Sequence, residues 1–149
     1  MFKKPLFKET VFVFFIMLVM HLLALKFYLY WTVGEYDSVL HFLGGLWTSL
    51  LFLWLYFFSG VFAPKSRTLF SFFVVSTLSL VLVGVAWEIF ELLTGLTFVQ
   101  WSDYFSDTAL DFVMDFFGSV VGFLYAYIRE IENQNIPPET NGFSSLGDN

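Results

Sequence analysis

Cysteine is absent from this chain of 149 residues. The chain therefore cannot form a disulfide, a thiolate metal site or a cysteine nucleophile. Charged side chains are also scarce, at 13% of the residues, against about 25% in a typical soluble domain. The seven basic residues form no patch large enough for nucleic acid, so we expect no nucleic-acid partner.

Apolar residues are in excess and fall in long runs. They make up 58% of the chain, with a mean hydropathy of +0.74. Runs of about 20 residues match the roughly 30 Å hydrocarbon core of a bilayer. The first run is too long for a typical signal peptide and lacks a convincing cleavage site, so we expect it to stay uncleaved. The predicted spans are 11–31, 38–58, 69–92 and 107–128.

The fold predicted from these runs is all-α, an integral membrane bundle of four transmembrane helices in one domain, 1–128. The remaining segment, 129–149, is polar, and we expect it to be a disordered cytoplasmic tail because it has little apolar surface to bury.

The basic residues predict the orientation of the bundle. Short cytoplasmic loops are enriched in Lys and Arg, and six of the seven basic residues fall in three segments on one side of a four-span bundle. They are Lys3, Lys4, Lys8, Lys65, Arg67 and Arg129. We therefore expect both termini in the cytoplasm (N-in/C-in) and a multi-pass protein of the cell membrane, the inner or plasma membrane.

Ionisable residues within or at the ends of membrane spans are rare and usually functional, and seven of those in this chain form one group. With spans of alternating direction, all seven lie at one depth, near the outer face. Within each span they are three or four residues apart and so share a helix face. They are Asp37, His41, Glu88, Glu91, Asp107, Asp111 and Asp115.

Small residues continue each of these acidic faces inward. Such residues let membrane helices approach closely, so we expect the acidic faces to be the packed faces and the carboxylates to point at one another. The small residues are Gly44, Gly45 and Thr48, then Thr77 and Gly84, and then Gly118 and Gly122.

A cluster of this kind needs compensation, because adjacent carboxylates cannot all be ionised at low dielectric. Either some take up protons or cations neutralise them. One histidine among carboxylates suits a divalent ion such as Zn²⁺, Mn²⁺, Fe²⁺, Mg²⁺ or Ca²⁺, which could hold a lipid phosphate or activate water. The predicted metal ligands are Asp37, His41, Glu88, Glu91, Asp111 and Asp115. Glu88 and Asp111 are also the predicted catalytic residues, and Asp107 is predicted to lie at the rim.

Structural roles compete with these assignments. Asp37 and Asp107 begin helices and could equally be caps or dipole partners. His21 has no acid at its own depth, so we expect a packing or hydrogen-bonding role. Lys26 is expected to snorkel outward or to pair with an acid.

Three segments of the sequence resemble the VanZ-like proteins and related small uncharacterised bacterial polytopic membrane proteins. They carry the patterns D-x-x-x-H in 37–41, W-E-x-x-E in 87–91 and D-x-x-x-D-x-x-G in 111–118. The second pattern is similar to a more acidic branch of that group. The resemblance implies a cell-envelope membrane protein and supports the site, but it implies no reaction.

The leading hypothesis is a small envelope protein whose carboxylate–histidine cluster binds a divalent metal ion and acts on a lipid-linked or envelope substrate. If the protein is an enzyme, the reaction that such a site favours is metal-dependent hydrolysis. One alternative is a proton- or cation-coupled carrier, for which four spans would need a homodimer. The other is a non-catalytic assembly protein whose acids only hold helices together.

Overall fold

The computed structural model describes residues 6–33, 35–62, 64, 66–94 and 104–135. All the regular structure in these residues is helical. Four helices are long and apolar enough to cross a membrane, which confirms the predicted all-α bundle of four spans. Lys3, Lys4, Lys65 and the tail from 136 onward lie outside the described residues. The helices are α1 (Phe7–Phe27), α2 (Leu29–Thr32), α3 (Tyr36–Leu53), α4 (Leu69–Thr94) and α5 (Tyr104–Asn135).

The first span is placed differently from the predicted 11–31. Helix α1 starts at Phe7 and ends at Phe27, because Tyr28 adopts a left-handed conformation with φ 58° and its backbone N–H bonds the Ala24 carbonyl. The one-turn helix α2 then folds back toward α1. There the Tyr30 hydroxyl lies 2.6 Å from His21 Nδ1. The apolar run therefore forms one span and a short interfacial turn.

Helix α3 is the centre of the bundle, and its most extensive contact is with α5. A Cβ atom on Gly45 would overlap the backbone carbonyl of Asp115, and one on Gly118 would overlap the carbonyl of Phe42. The two backbones are thus in direct contact at these glycines. This contact fixes Asp115 beside the N-terminal half of α3.

The interior of the bundle is partly polar while its perimeter is apolar. Ser49 donates to the hydroxyl of Ser76 at 2.9 Å, and Ser79 donates to the Ser76 carbonyl at 2.8 Å, with all three side chains buried. In contrast, Leu78 and Leu82 on α4 are largely exposed. Exposure of such an apolar surface is favourable in the hydrocarbon of a bilayer and unfavourable in water.

The end of the bundle opposite the acids, here called the basic end, is held by ion pairs around Arg67, Arg129, Glu9 and Glu130. Arg67 Nη1 lies 3.1 Å from Glu130 Oε1, and Arg129 Nη2 lies 3.6 Å from Glu9 Oε1. The Arg67 guanidinium also donates to the Phe57 carbonyl, where α3 continues as a π-helical turn over Trp54–Phe58. These contacts involve α5 beyond the predicted span end at 128, and α5 stays helical to Asn135 rather than giving way to a tail at 129.

Candidate metal centre

Five of the six predicted carboxylates lie around the imidazole of His41, and only Asp107 does not. His41 is on α3, one helical turn after Asp37, and only 5% of its surface is exposed. Asp111 and Asp115 come from α5, and Glu88 and Glu91 come from α4. Three helices therefore supply carboxylates to one histidine. We call these five carboxylates and His41 the His41 cluster.

The two ring nitrogens of His41 have different surroundings. Nδ1 lies 3.4 Å from Asp115 Oδ2 and forms a hydrogen bond with it. If Nδ1 carries the proton and donates it to Asp115, Nε2 keeps a lone pair. Nε2 is buried and has no hydrogen-bond partner among the residues that the structure describes. It faces Asp37 Oδ1 at 3.9 Å and Asp111 Oδ2 at 3.8 Å.

These separations suit metal ligands better than hydrogen-bonding partners. Side-chain hydrogen bonds in proteins do not extend to donor–acceptor distances of about 3.6 Å or more. Two ligands at about 2.0–2.2 Å from one ion lie roughly 3 to 4.3 Å apart. The His41 Nε2 distances to Asp37 and Asp111 fall in that range, and one ligand atom from each of the three residues lies within 4.8 Å of the others.

Helix α4 adds a second possible ligand set that shares His41. Ligand atoms of His41, Glu88 and Glu91 also lie within 4.8 Å of one another. Each glutamate is held by a neutral donor. Thr108 Oγ1 donates to Glu88 Oε2 at 3.0 Å, and Trp87 Nε1 donates to Glu91 Oε1 at 2.9 Å.

The His41 cluster has an excess of acidic groups. Among the residues that the structure describes, neither lysine nor arginine forms an ion pair with any of the five carboxylates. Desolvated charges without compensation are costly. The arrangement can therefore bind a cation, share protons, or do both.

The carboxylate oxygens nearest to His41 Nε2 lie 3.8 and 3.9 Å away, which is too far for a proton shared with Nε2 to form a hydrogen bond in this geometry. A divalent ion would satisfy Nε2 and two carboxylates together. The Asp115 carboxylate would then orient the ring through its hydrogen bond with Nδ1, an arrangement common for metal-bound histidines. The donor set thus fits a divalent ion.

The remaining candidate residues lie apart from His41. Asp107 is half-buried in the first turn of α5 and belongs to neither ligand set. Lys26 is exposed, with its amine 5.4 Å from the Phe27 ring. His21 bonds Tyr30 and packs its ring edge-on against Trp87, a hydrogen-bonding and packing role.

Three contacts around the cluster are not predicted by the sequence. Trp87 packs between His21 and His41, with ring centroids 6.3 and 6.4 Å away, and Thr108 reaches Glu88. Trp87 and Thr108 each adjoin a predicted site residue in sequence, and Trp87 also belongs to the W-E-x-x-E pattern, but neither signal predicts these contacts. Tyr30 contacts His21 only because the chain turns at Tyr28. Burial, reinforced by the carboxylates of Asp37 and Glu91, raises the pKa of the Tyr30 phenol, which stays protonated.

The comparison with protein families finds one family whose model matches most of the chain. The model of the family described as Predicted membrane protein (DUF2238) matches residues 1–131, so the chain belongs to that family. Comparison with curated proteins and with solved structures gives no match. The resemblance to VanZ-like proteins is not confirmed by this result and stays a prediction.

Proposed function

We propose that this membrane protein binds a divalent metal ion at His41 Nε2, with Asp37 and Asp111 as first ligands. The observation that carries the proposal is a buried imidazole nitrogen that faces two carboxylates at metal-ligand spacing and that no described residue satisfies with a hydrogen bond. Glu88 and Glu91 complete or exchange with this set. An imidazole with carboxylates suits Zn²⁺, Mn²⁺ or Fe²⁺.

The reaction that we propose for this centre is hydrolysis of a lipid-linked or envelope substrate. The bound ion would lower the pKa of a water and polarise the bond under attack. Glu88 is the proposed general base, because its Oε2 accepts a hydrogen bond from the neutral Thr108 hydroxyl and, within the described part of the chain, forms no ion pair with a lysine or an arginine. Asp111 would act as ligand and orient the water.

We further propose that the His41 cluster faces the outer leaflet of the cell membrane, with both termini in the cytoplasm. The support is the charge distribution, because Arg67 and Arg129 lie together at the opposite end of the bundle. Basic residues favour the cytoplasmic side. Single-cysteine accessibility at Glu35 and Ser66 tests this, since an impermeant reagent added outside the cell must then label position 35 and not position 66.

The metal proposal is tested by elemental mass spectrometry of protein purified without chelators and then incubated with Zn²⁺ or Mn²⁺. We expect close to one ion per chain in the parent, and loss of that ion in His41→Gln and Asp111→Asn. His21→Gln is the matched control and should keep the ion. Equal metal content in the parent and His41→Gln would disprove the site.

Burial of the cluster favours a second candidate, a proton- or cation-coupled carrier. Asp111 is 2% exposed and His41 is 5% exposed, as expected for an ion-binding site closed to both sides. This carrier would act as a homodimer. Cation or proton flux into proteoliposomes that Asp111→Asn abolishes would favour the carrier, and hydrolysis without flux would favour the enzyme. If Asp111→Asn and Glu88→Gln both left cellular function intact, the acids would serve only helix assembly.

A further inference from the structure

A cavity of about 250 Å³ lies beside the His41 cluster, between α1, α3 and α4. Most of its lining is apolar or aromatic. Phe14 and Leu18 of α1 face it on one side, and Leu80 and Val83 of α4 face it on the other. Trp47 of α3 also lines it. None of the ligand-set contacts described above requires this space.

The cavity and the His41 cluster are continuous. Asp37, His41 and Asp115 all line the cavity as well as belonging to the cluster. The lining on α3 extends from Asp37 to Thr48, which is roughly 16 Å at 1.5 Å per residue. One space therefore has Asp37 and His41 at one end and Asp115 beside Gly44, while most of its remaining lining is apolar or aromatic.

The dimensions and the position of the cavity limit what it can hold. Its volume is below the about 300–1,000 Å³ typical of pockets for drug-sized ligands. It lies at the depth of the membrane spans, where the surrounding medium is hydrocarbon. Helix α1 packs mainly on α3 and has little contact with α4, although both helices line the cavity. A lipid chain would therefore enter the cavity from the side where α1 and α4 lie next to each other with little contact.

We propose that the cavity binds one hydrocarbon chain of a lipid whose phosphate-bearing head lies at the His41 cluster. The head-group part rests on the proposed metal ion, because five carboxylates without a cation would repel a phosphate. The chain part rests only on the shape and lining of the cavity. The substrate class is accordingly a phosphate lipid that enters sideways from the bilayer.

Two probes separate the chain part from the head part. One is a monoacylglycerol and the other is the corresponding monoacyl phosphate lipid, each with a diazirine near the end of its chain. After illumination in proteoliposomes, peptide mass spectrometry locates the adducts. We expect saturable labelling by both probes at Leu18, Leu80 and Val83. After chelation, labelling by the phosphate probe should weaken about tenfold, whereas labelling by the neutral probe should not change.

Val83→Phe should fill the cavity and lower saturable labelling by both probes about tenfold. Val81→Phe is the matched control. Val81 lies on the same helix but is 55% exposed on its outer surface, so the change should leave labelling unaltered. If Val83→Phe does not fold, competition by unlabelled lipid in the parent replaces it. Adducts that do not saturate would come from surrounding lipid and would overturn the proposal.

The outcomes distinguish this inference from the proposed metal function. Saturable labelling by the neutral probe alone would keep the chain site and overturn the phosphate head. Absence of saturable labelling by either probe would overturn the inference, even in a protein with full metal content. An unlabelled isoprenyl phosphate that competes better than an unlabelled diacyl phosphatidate would identify a lipid-linked substrate rather than a bulk phospholipid.

Discussion

The two ends of the bundle differ in how their carboxylates are neutralised. At the basic end, the buried Glu130 is matched by Arg67 at 3.1 Å, and Glu9 is matched by Arg129. At the other end, five carboxylates surround a single histidine. Where the fold needs charge for its own stability, it supplies both signs. The acidic end therefore needs a cation or protons from outside the chain.

The largest effect that we expect is loss of metal from the acidic end alone. Asp37→Asn removes the charge of one ligand that faces His41 Nε2 and should lower the affinity for Zn²⁺ or Mn²⁺ by about 100-fold. Arg67→Gln at the basic end should leave that affinity unchanged. Competition titration with a metal indicator measures both, and equal losses would mean that the two ends are not independent.

The next largest effect concerns the backbone contact that positions Asp115. Gly45→Ala places a methyl group on the Asp115 carbonyl and should destabilise the bundle by about 2 kcal/mol. Gly44→Ala is the matched control, because its methyl group would lie 3.5 Å from Asp115 Oδ1, an ordinary contact. Alanine is also preferred to glycine in helices by about 1 kcal/mol. Unfolding in mixed micelles measures both, and similar stabilities would contradict the close packing of α3 and α5.

A smaller effect is expected from Asp115, which contacts His41 Nδ1 on the side of the ring away from Nε2. Asp115→Asn keeps the shape of the side chain but removes the charge that orients the imidazole. Metal affinity should fall by about tenfold without loss of the bound ion at saturation. Complete loss of binding at saturating metal would instead make Asp115 a direct ligand.

The smallest effects belong to the basic end. Arg67→Gln should cost about 1–2 kcal/mol, because Glu130 is 4% exposed and loses a charged partner. Glu132→Gln should cost less than about 0.5 kcal/mol, because Glu132 and its partner Arg129 are both substantially exposed. Thermal unfolding of the two variants checks the order, and a larger cost for Glu132→Gln would refute this account of the basic end.

Much of the acidic end follows from sequence, because helical spacing fixes which side chains share a face. Asp37 with His41, and Glu88 with Glu91, could be paired without a structure. The glycines that let α3 and α5 touch also stand out as small residues in the runs. What spacing cannot give is the rotation of one helix against another, and this rotation decides which carboxylate faces Nε2 and which faces Nδ1.

The poorly predicted features depend on local turns and on distant partners. The left-handed Tyr28 ends α1 and brings Tyr30 to His21, which no apolar run indicates. The extension of α5 past 128 accompanies ion pairs with residues more than sixty positions earlier in the chain. Buried serines such as Ser49 and Ser76 also resemble ordinary span residues until their partners are known.

The most direct test of the central claim is whether the imidazole of His41 is a metal ligand. Pulsed electron paramagnetic resonance of Mn²⁺-loaded protein with ¹⁵N-labelled histidine detects that bond. We predict coupling to one histidine nitrogen, absent in His41→Gln and unchanged in His21→Gln, the only other histidine. Coupling that persists in His41→Gln, or Mn²⁺ that binds without any nitrogen coupling, would contradict the account.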